Sequence, residues 1–445
     1  MTRTTPILIA SLLSILLCSC KPENPNYQAD AANAQALHTA MQGLTDVIVH
    51  DIFSPPQASR VYAYPSIAAY EAIQWQDSSL ISLAGQLNGL TKIPTPGEGV
   101  TYCYPVAAIT AFNKVAKSLI FSEQKIAAVD SLLQQELRDM GIPSKVYKNS
   151  VQYGEEIADH ILTWASKDNY NQSRSFAKYS VTDQEDRWKP TPPGYMEGIE
   201  PHWREIRPFV LDSAQQFTPP LPTEYSMNPS STFYKELMEV YDVRKNLTSE
   251  QKEIASFWDC NPYVLNVTGH VMHASKKITP GGHWMGITAI AAKKANSSMA
   301  ESARAYALTS IALADAFISC WDEKYRSNLI RPETVINEKI DPDWLPLLQT
   351  PPFPEYTSGH SVISSAAAIA LTSLYGDNFA FDDDVEVPYG LPMRSFTSFI
   401  AASEEAAISR LYGGIHYRPA IDNGVVQGRA LGRHLVSTIT FTSKQ

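Results

Sequence analysis

Three short islands in the C-terminal half combine the residue types that handle an anion. The first is Lys324-Tyr-Arg-Ser-Asn-Leu-Ile-Arg331-Pro332, with two cations seven residues apart. The second is Pro351-Pro-Phe-Pro-Glu-Tyr-Thr-Ser358-Gly359-His360-Ser361, and the third Ser409-Arg410-Leu-Tyr-Gly-Gly-Ile-His416-Tyr-Arg-Pro419. Taken singly they read as a solvated helix end, a capped helix and a packed turn. Together they supply three guanidinium or ammonium groups (Lys324, Arg331, Arg410), one hydroxyl (Ser358), one helix-start amide (Gly359) and two imidazoles (His360, His416). That set suits a highly charged tetrahedral oxyanion, which needs cationic donors around its oxygens and a group that moves protons beside it.

The elements that position these residues are helices. A helix beginning near Ser298 carries Lys324 on its last turn and ends before Arg331, because the residue preceding a proline is biased out of the α region. Ser358 caps an Ala-rich helix that closes on Gly376, and such a start offers free N–H groups and a positive dipole end. A further helix runs from about Ser395 to Gly413-Gly414, so Arg410 falls on its last turn and His416 in the tight connection to a helix that begins at Pro419. From Ala31 to Asp168 the pattern reads as helical throughout, and strand alternation bounded by Asn-Gly or Asp-Gly turns is absent. Between Lys189 and Pro229 lie nine prolines with Trp188, Trp203, Phe209 and Phe217 close by, too aromatic for a free linker. The expectation is an all-α fold of two helical bundles joined by a proline-rich crossover, the C-terminal bundle carrying the oxyanion site. The expected divisions are 1–20, 21–187, 188–230 and 231–445.

At 445 residues with 44% hydrophobic and 18% charged side chains, the chain has ample material for a packed core, which excludes disorder as its main state. Its net charge of −10 argues against nucleic acid as a partner, so any anion must be held by a local cluster of cations. An apolar run from Pro6 to Leu17 after Arg3 is too short to span a bilayer and reads as a signal-peptide core. The following Leu17-Cys18-Ser19-Cys20 resembles a bacterial lipobox. That resemblance implies cleavage before Cys20, lipidation of Cys20, and a lipid anchor on the periplasmic side of the envelope membrane or at the cell surface; an ordinary cleaved signal peptide is the other reading. Cys103, Cys260 and Cys320 have no CxxC spacing, which disfavours structural zinc, and an odd count leaves any disulfide pairing open. His270 and His273 could share a helix face near His283, yet no carboxylate accompanies them at fixed spacing. The run Asp382-Asp-Asp384 reads as a solvated loop, and Asp315 or Asp322 as a partner for an active-site cation or for His360.

Lys-x6-Arg-Pro, Ser-Gly-His and Ser-Arg-x5-His, in that order over about a fifth of the chain, resemble the signature of the superfamily joining type 2 phosphatidic acid phosphatases, soluble acid phosphatases and vanadium-dependent haloperoxidases. The resemblance implies that Lys324, Arg331 and Arg410 bind the equatorial oxygens of phosphate or vanadate, with Ser358 and Gly359 adding hydrogen bonds. It implies that His416 is the axial vanadium ligand, or the nucleophile that becomes a phosphohistidine, and that His360 is the acid–base group. The aspartate usual four residues beyond this histidine is replaced by Ala420, and Asp422 is the expected substitute for orienting His416. The extra length ahead of the motifs resembles bacterial haloperoxidase-like proteins. The implied activity is therefore vanadate-dependent oxidation of halide by hydrogen peroxide. A soluble phosphomonoesterase, and an anion-binding scaffold with a silent site, are the alternatives. The segment from Trp188 to Phe209 is expected to roof the pocket and supply its aromatic walls.

Overall fold

The computed structural model describes residues 23–443 apart from Tyr263 and Gly269, so Cys20 and the expected signal peptide lie outside the described residues. The N-terminal half comprises α1 (Tyr27–Ala31), α2 (Gln35–Asp51), α3 (Pro55–Ile73), α4 (Tyr104–Leu119), α5 (Glu123–Asp139), α6 (Ser144–Ala165) and α7 (Tyr170–Ser173). The C-terminal half comprises α8 (Thr232–Lys245), α9 (Ser249–Phe257), α10 (Pro280–Lys294), α11 (Met299–Ser327), α12 (Pro332–Lys339), α13 (Gly359–Tyr375), α14 (Phe399–Tyr412) and α15 (Arg418–Thr438). No helix among the described residues is long and apolar enough to cross a membrane.

Helices dominate, as the periodicity predicts, with two local departures. Residues 77–103 hold no helix. Gly85, Gly89 and Gly99 there adopt φ of +80°, +72° and +70°, a left-handed backbone that no right-handed helix tolerates. Two antiparallel hairpins also occur, β1 (Val264–Thr268) with β2 (Val271–Ser275), and β3 (Phe381–Asp383) with β4 (Arg394–Phe396). His270 lies in the first hairpin's turn and His273 within β2, so they do not share a helix face.

The 29-residue α11 is the beam shared by the two halves. It packs against α3 on one side and α13 on the other, and one continuous apolar core runs through both bundles. Its start is a capping box, in which Ser298 and Glu301 each satisfy the other's backbone amide. In the C-terminal half α13 lies between α11, α14 and α15. Its contact with α15 is close because glycines face it: a Cβ on Gly428 would stand 2.1 Å from the Val362 carbonyl oxygen, and one on Gly424 2.8 Å from Ser361 Cβ.

The crossover is strapped along the outside of α11. Asp315 accepts hydrogen bonds from the amides of Phe209, Val210 and Leu211 at 2.7, 2.8 and 3.2 Å. Trp321 Nε1 and Tyr325 Oη both donate to the Ile199 carbonyl. Trp203 is buried against Tyr170 of the N-terminal half. Asp315 is thus a clamp for the crossover and Asp322 pairs with Arg326 at 3.1 Å, so the expectation that either serves a site cation or His360 is corrected.

Candidate functional site

Each island folds as its local signals require. Lys324 lies on the last turn of α11, which stops at Asn328 in a left-handed conformation, φ +49°. Arg331 is the extended residue before α12, with Pro332 at its first turn. Ser358 caps α13, its Oγ accepting from the Ser361 amide at 3.3 Å. Arg410 is on the last turn of α14, and His416 lies in the connection to α15, where Gly414 takes φ +78° against Trp344 and Pro346.

These four chain segments converge on a cavity of about 40 Å³ lined by Gly359, His360, Arg410 and His416, with Phe317, Trp321 and Phe353 as its aromatic wall. One ordered water needs roughly 10–15 Å³ on the same measure, so the space suits a small ion of several oxygens. Pro55 of the N-terminal half and Asp259 to Pro262 add to the lining. Among the described residues no part of 188–230 reaches the cavity, which corrects the expected roof: its aromatics are consumed in fastening the crossover to α11 and to Tyr170 and Tyr179.

His416 is the best-determined group. It is buried, its Nδ1–H donates to Glu355 Oε1 at 2.7 Å, and Arg331 Nη1 donates to its Nε2 at 3.2 Å. Nε2 therefore carries the ring's one lone pair, which accepts from Arg331 and would have to give up that hydrogen bond to bind a ligand in the cavity that His416 lines. Burial, with Arg331 and Lys324 adding their charge, holds the imidazole well below the ordinary histidine range, so it is neutral. Glu355, not Asp422, orients it. Asp422 is exposed on α15 beside Arg418 and Glu239 and is not among the residues lining the cavity.

The cations are buried. Lys324 Nζ donates to the carbonyls of Pro354, Glu355 and Thr357 at 3.0, 3.1 and 2.6 Å, and burial lowers it to about 8. Arg331 Nε donates to the Phe353 carbonyl and Nη1 to that of Ile415, while its buried Nη2 has no partner. Arg410 donates to Ser409 Oγ and to the Trp258 carbonyl. Burial brings Arg331 and Arg410 down to about 10, which still leaves both protonated at neutral pH. His360 is hydrogen-bonded to the Trp258 carbonyl and its buried Nε2 has no partner. Burial, then Arg410 and His283, keeps it well below the ordinary range, so this neutral nitrogen can take a proton.

Arg410, Gly359, His360 and His416 therefore meet at the cavity. Arg331 reaches it through His416, and Lys324 and Ser358 stand directly behind its wall. Two orphaned buried atoms, the Arg331 Nη2 donor and the His360 Nε2 acceptor, are what a bound protonated oxyanion would satisfy. The residues present fit vanadate or phosphate. Glu355 and the Trp258 carbonyl were not singled out from sequence; Glu355 lies in the second island, but its partner is 61 residues onward.

A neutral, carboxylate-oriented histidine among buried cations at the head of a helical bundle defines an oxyanion-handling enzyme. Comparison makes it specific. Residues 304–444 match the family model described as the VCPO second helical-bundle domain. The fold matches the crystal structure of the first bacterial vanadium-dependent iodoperoxidase at 54% identity and a TM-score of 0.89, over 96% of this chain and 100% of that one. The chain belongs to the vanadium-dependent haloperoxidase family and is a haloperoxidase-like oxidoreductase. Apo- and holo-type bacterial vanadium-dependent chloroperoxidases share the fold, at TM-scores of 0.64 and 0.67 and identities of 15% and 17%. Those matches cover 85% and 94% of this chain and 92% and 97% of theirs. No curated protein sequence matches it.

Proposed function

We propose that the protein binds vanadate in this cavity and oxidises a halide with hydrogen peroxide, and that the halide is iodide. The observation that carries the reading is that Gly359, His360, Arg410 and His416 line one small cavity, with His416 held between Glu355 and Arg331 and with the buried Arg331 Nη2 and His360 Nε2 left unpaired. Iodide is supported by the 54% identity to a protein described as an iodoperoxidase.

In this reading His416 would hold the vanadium through Nε2, in exchange for its hydrogen bond from Arg331, and Arg410, the Gly359 amide and the guanidinium so released would bind the oxygens. Lys324 and Ser358 contribute from behind, Lys324 by its charge and by fixing the 354–357 loop, Ser358 by capping α13. When bound, vanadate supplies the activation of peroxide toward halide. His360 Nε2 takes the peroxide proton, and Arg410 beside it favours return of that proton. Phe317, Trp321 and Phe353 exclude water, which strengthens every charge interaction in the cavity.

The test is one metal-free preparation assayed three ways after vanadate loading: iodide with peroxide, bromide with peroxide, and p-nitrophenyl phosphate without peroxide. Vanadate-dependent iodide oxidation is expected, with bromide slower. Phosphoester turnover inhibited by vanadate would move the assignment to a phosphomonoesterase acting through His416. Neither activity in a folded protein would defeat both readings.

A further inference from the structure

Cys260, on the cavity wall, belongs to a second cluster that the oxyanion reading does not use. Cys260 lines the cavity and is 3% exposed. Its Sγ lies 3.4 Å from His283 Nδ1 and 3.4 Å from Glu386 Oε1, and His283 Nδ1 lies 3.1 Å from the same Glu386 oxygen. His283 and Glu386 are also buried. The other imidazole nitrogen, Nε2, is 2.8 Å from Asp383 Oδ2, and the ring stacks on Trp258 with centroids 4.6 Å apart.

This geometry matches a face of a metal tetrahedron. With metal–sulfur bonds of ~2.3 Å and metal–nitrogen or –oxygen bonds of ~2.0–2.1 Å, tetrahedral edges come to about 3.5 Å from sulfur and about 3.3 Å between nitrogen and oxygen. The observed triangle falls within a few tenths of an ångström of that. Asp383 adds a second, independent sign, because histidines that ligate metals characteristically give their other N–H to a carboxylate, which fixes the ring. The donor set of one thiolate, one imidazole and one carboxylate selects a borderline-soft divalent cation over Ca²⁺ or Mg²⁺, which prefer oxygen alone. Three protein ligands leave the fourth position open.

We propose that Cys260, His283 and Glu386 form a binding site for one zinc-like divalent cation, with Asp383 holding the His283 ring. The cation replaces the Cys260 thiol proton and the proton that His283 Nδ1 directs at Glu386, and both leave to solvent while Nε2–H stays on Asp383. It ties α9's end, α10 and the segment after β3 together, and so fixes the Trp258 carbonyl that receives both Arg410 and His360. None of this depends on the halide reaction. The sequence conceals the site because its ligands are 23 and 103 residues apart, with no motif spacing.

The test is the metal content of full-length protein expressed with zinc and purified without chelator, together with the absorption spectrum of the cobalt-substituted form. Expected are one zinc per chain and a thiolate-to-cobalt charge-transfer band, both lost in Cys260→Ser. Asp383→Asn should weaken zinc binding about 10–100-fold while retaining the band. A folded wild-type protein that carries no zinc and shows no cobalt–thiolate band overturns the proposal, as does a zinc content that Cys260→Ser leaves unchanged. Circular dichroism on each variant separates loss of ligand from loss of fold.

Discussion

Glu355 Oε1 stands 2.7 Å from His416 Nδ1 and 3.0 Å from the Tyr417 amide, so one carboxylate oxygen fixes both the ring and the backbone beside it. Burial pushes this carboxyl up to about 8, with Arg331 and Lys324 pulling the other way. Replacing it with alanine strands two buried N–H donors and frees the imidazole to rotate. Glu355→Ala should weaken vanadate binding about 10–100-fold, as loss of a ligand's orienting partner does elsewhere. Glu355→Gln, which keeps a carbonyl oxygen at that point, should recover most of it. Equilibrium titration with vanadate checks both, and equal losses in the two variants would show that charge, not orientation, is what Glu355 supplies.

Arg331 uses its planar fork on three partners at once: Phe353 O, Ile415 O and His416 Nε2, with Nη2 left over. Lysine keeps the charge but not the fork. Arg331→Lys should therefore bind vanadate at least about 10-fold more weakly, since one lost charge-assisted hydrogen bond is worth roughly 1.5–3 kcal/mol. The same titration reads this, and unchanged affinity would mean that only net charge matters at Arg331.

How much of this was visible in the sequence follows from distance along the chain. Lys324, Arg331, Ser358, Arg410 and His416 were legible because each sits at a helix end announced by its own neighbours: a following proline, a capping hydroxyl, a glycine pair. Glu355 was not, since the island containing it gives no reason to look toward residue 416, whereas Asp422 lay at a plausible spacing and pointed the wrong way. In sequence, Asp383 is indistinguishable from Asp382 and Asp384 in what reads as a solvated loop. Its neighbours are indeed exposed, but the alternation of β3 turns Asp383 inward to His283. The crossover was recognisable as a packed segment from its aromatics, while which surface it covers is set by Asp315 capturing three amides about 105 residues away.

Acid sensitivity has a definite sign at His38. Its Nδ1 is 2.7 Å from Tyr306 Oη inside the core, and burial, with the Lys293 charge adding, lowers it to about 4 from 6.5. Between those values the unfolded chain binds a proton that the folded one refuses, so stability falls as pH drops from 6.5 toward 4. The loss attributable to this residue approaches about 3 kcal/mol at the acid end. Denaturant unfolding across that pH range should show a steeper decline for wild type than for His38→Gln, which keeps a polar partner for Tyr306 without a titrating ring. Parallel curves would mean that His38 is protonated in the folded protein.

The approach of α15 to α13 sets the height of the Ser358-Gly359-His360 start relative to His416, and Gly428 sets that approach. A methyl group there meets the Val362 carbonyl oxygen at 2.1 Å, and backbone cannot yield as a flexible side chain does. Gly428→Ala should cost about 1–3 kcal/mol of stability, the usual penalty for overpacking. Gly432→Ala is the control, because its contacts, Ile369 Cβ at 2.8 Å and the Ala366 carbonyl oxygen at 3.0 Å, are milder than the 2.1 Å at Gly428 and lie one turn further along α15. If helix spacing positions the oxyanion donors, Gly428→Ala loses vanadate affinity out of proportion to its loss of stability and Gly432→Ala does not. Urea unfolding and vanadate titration on the two variants measure both quantities, and a loss of stability alone in Gly428→Ala would confine the glycine contact to packing.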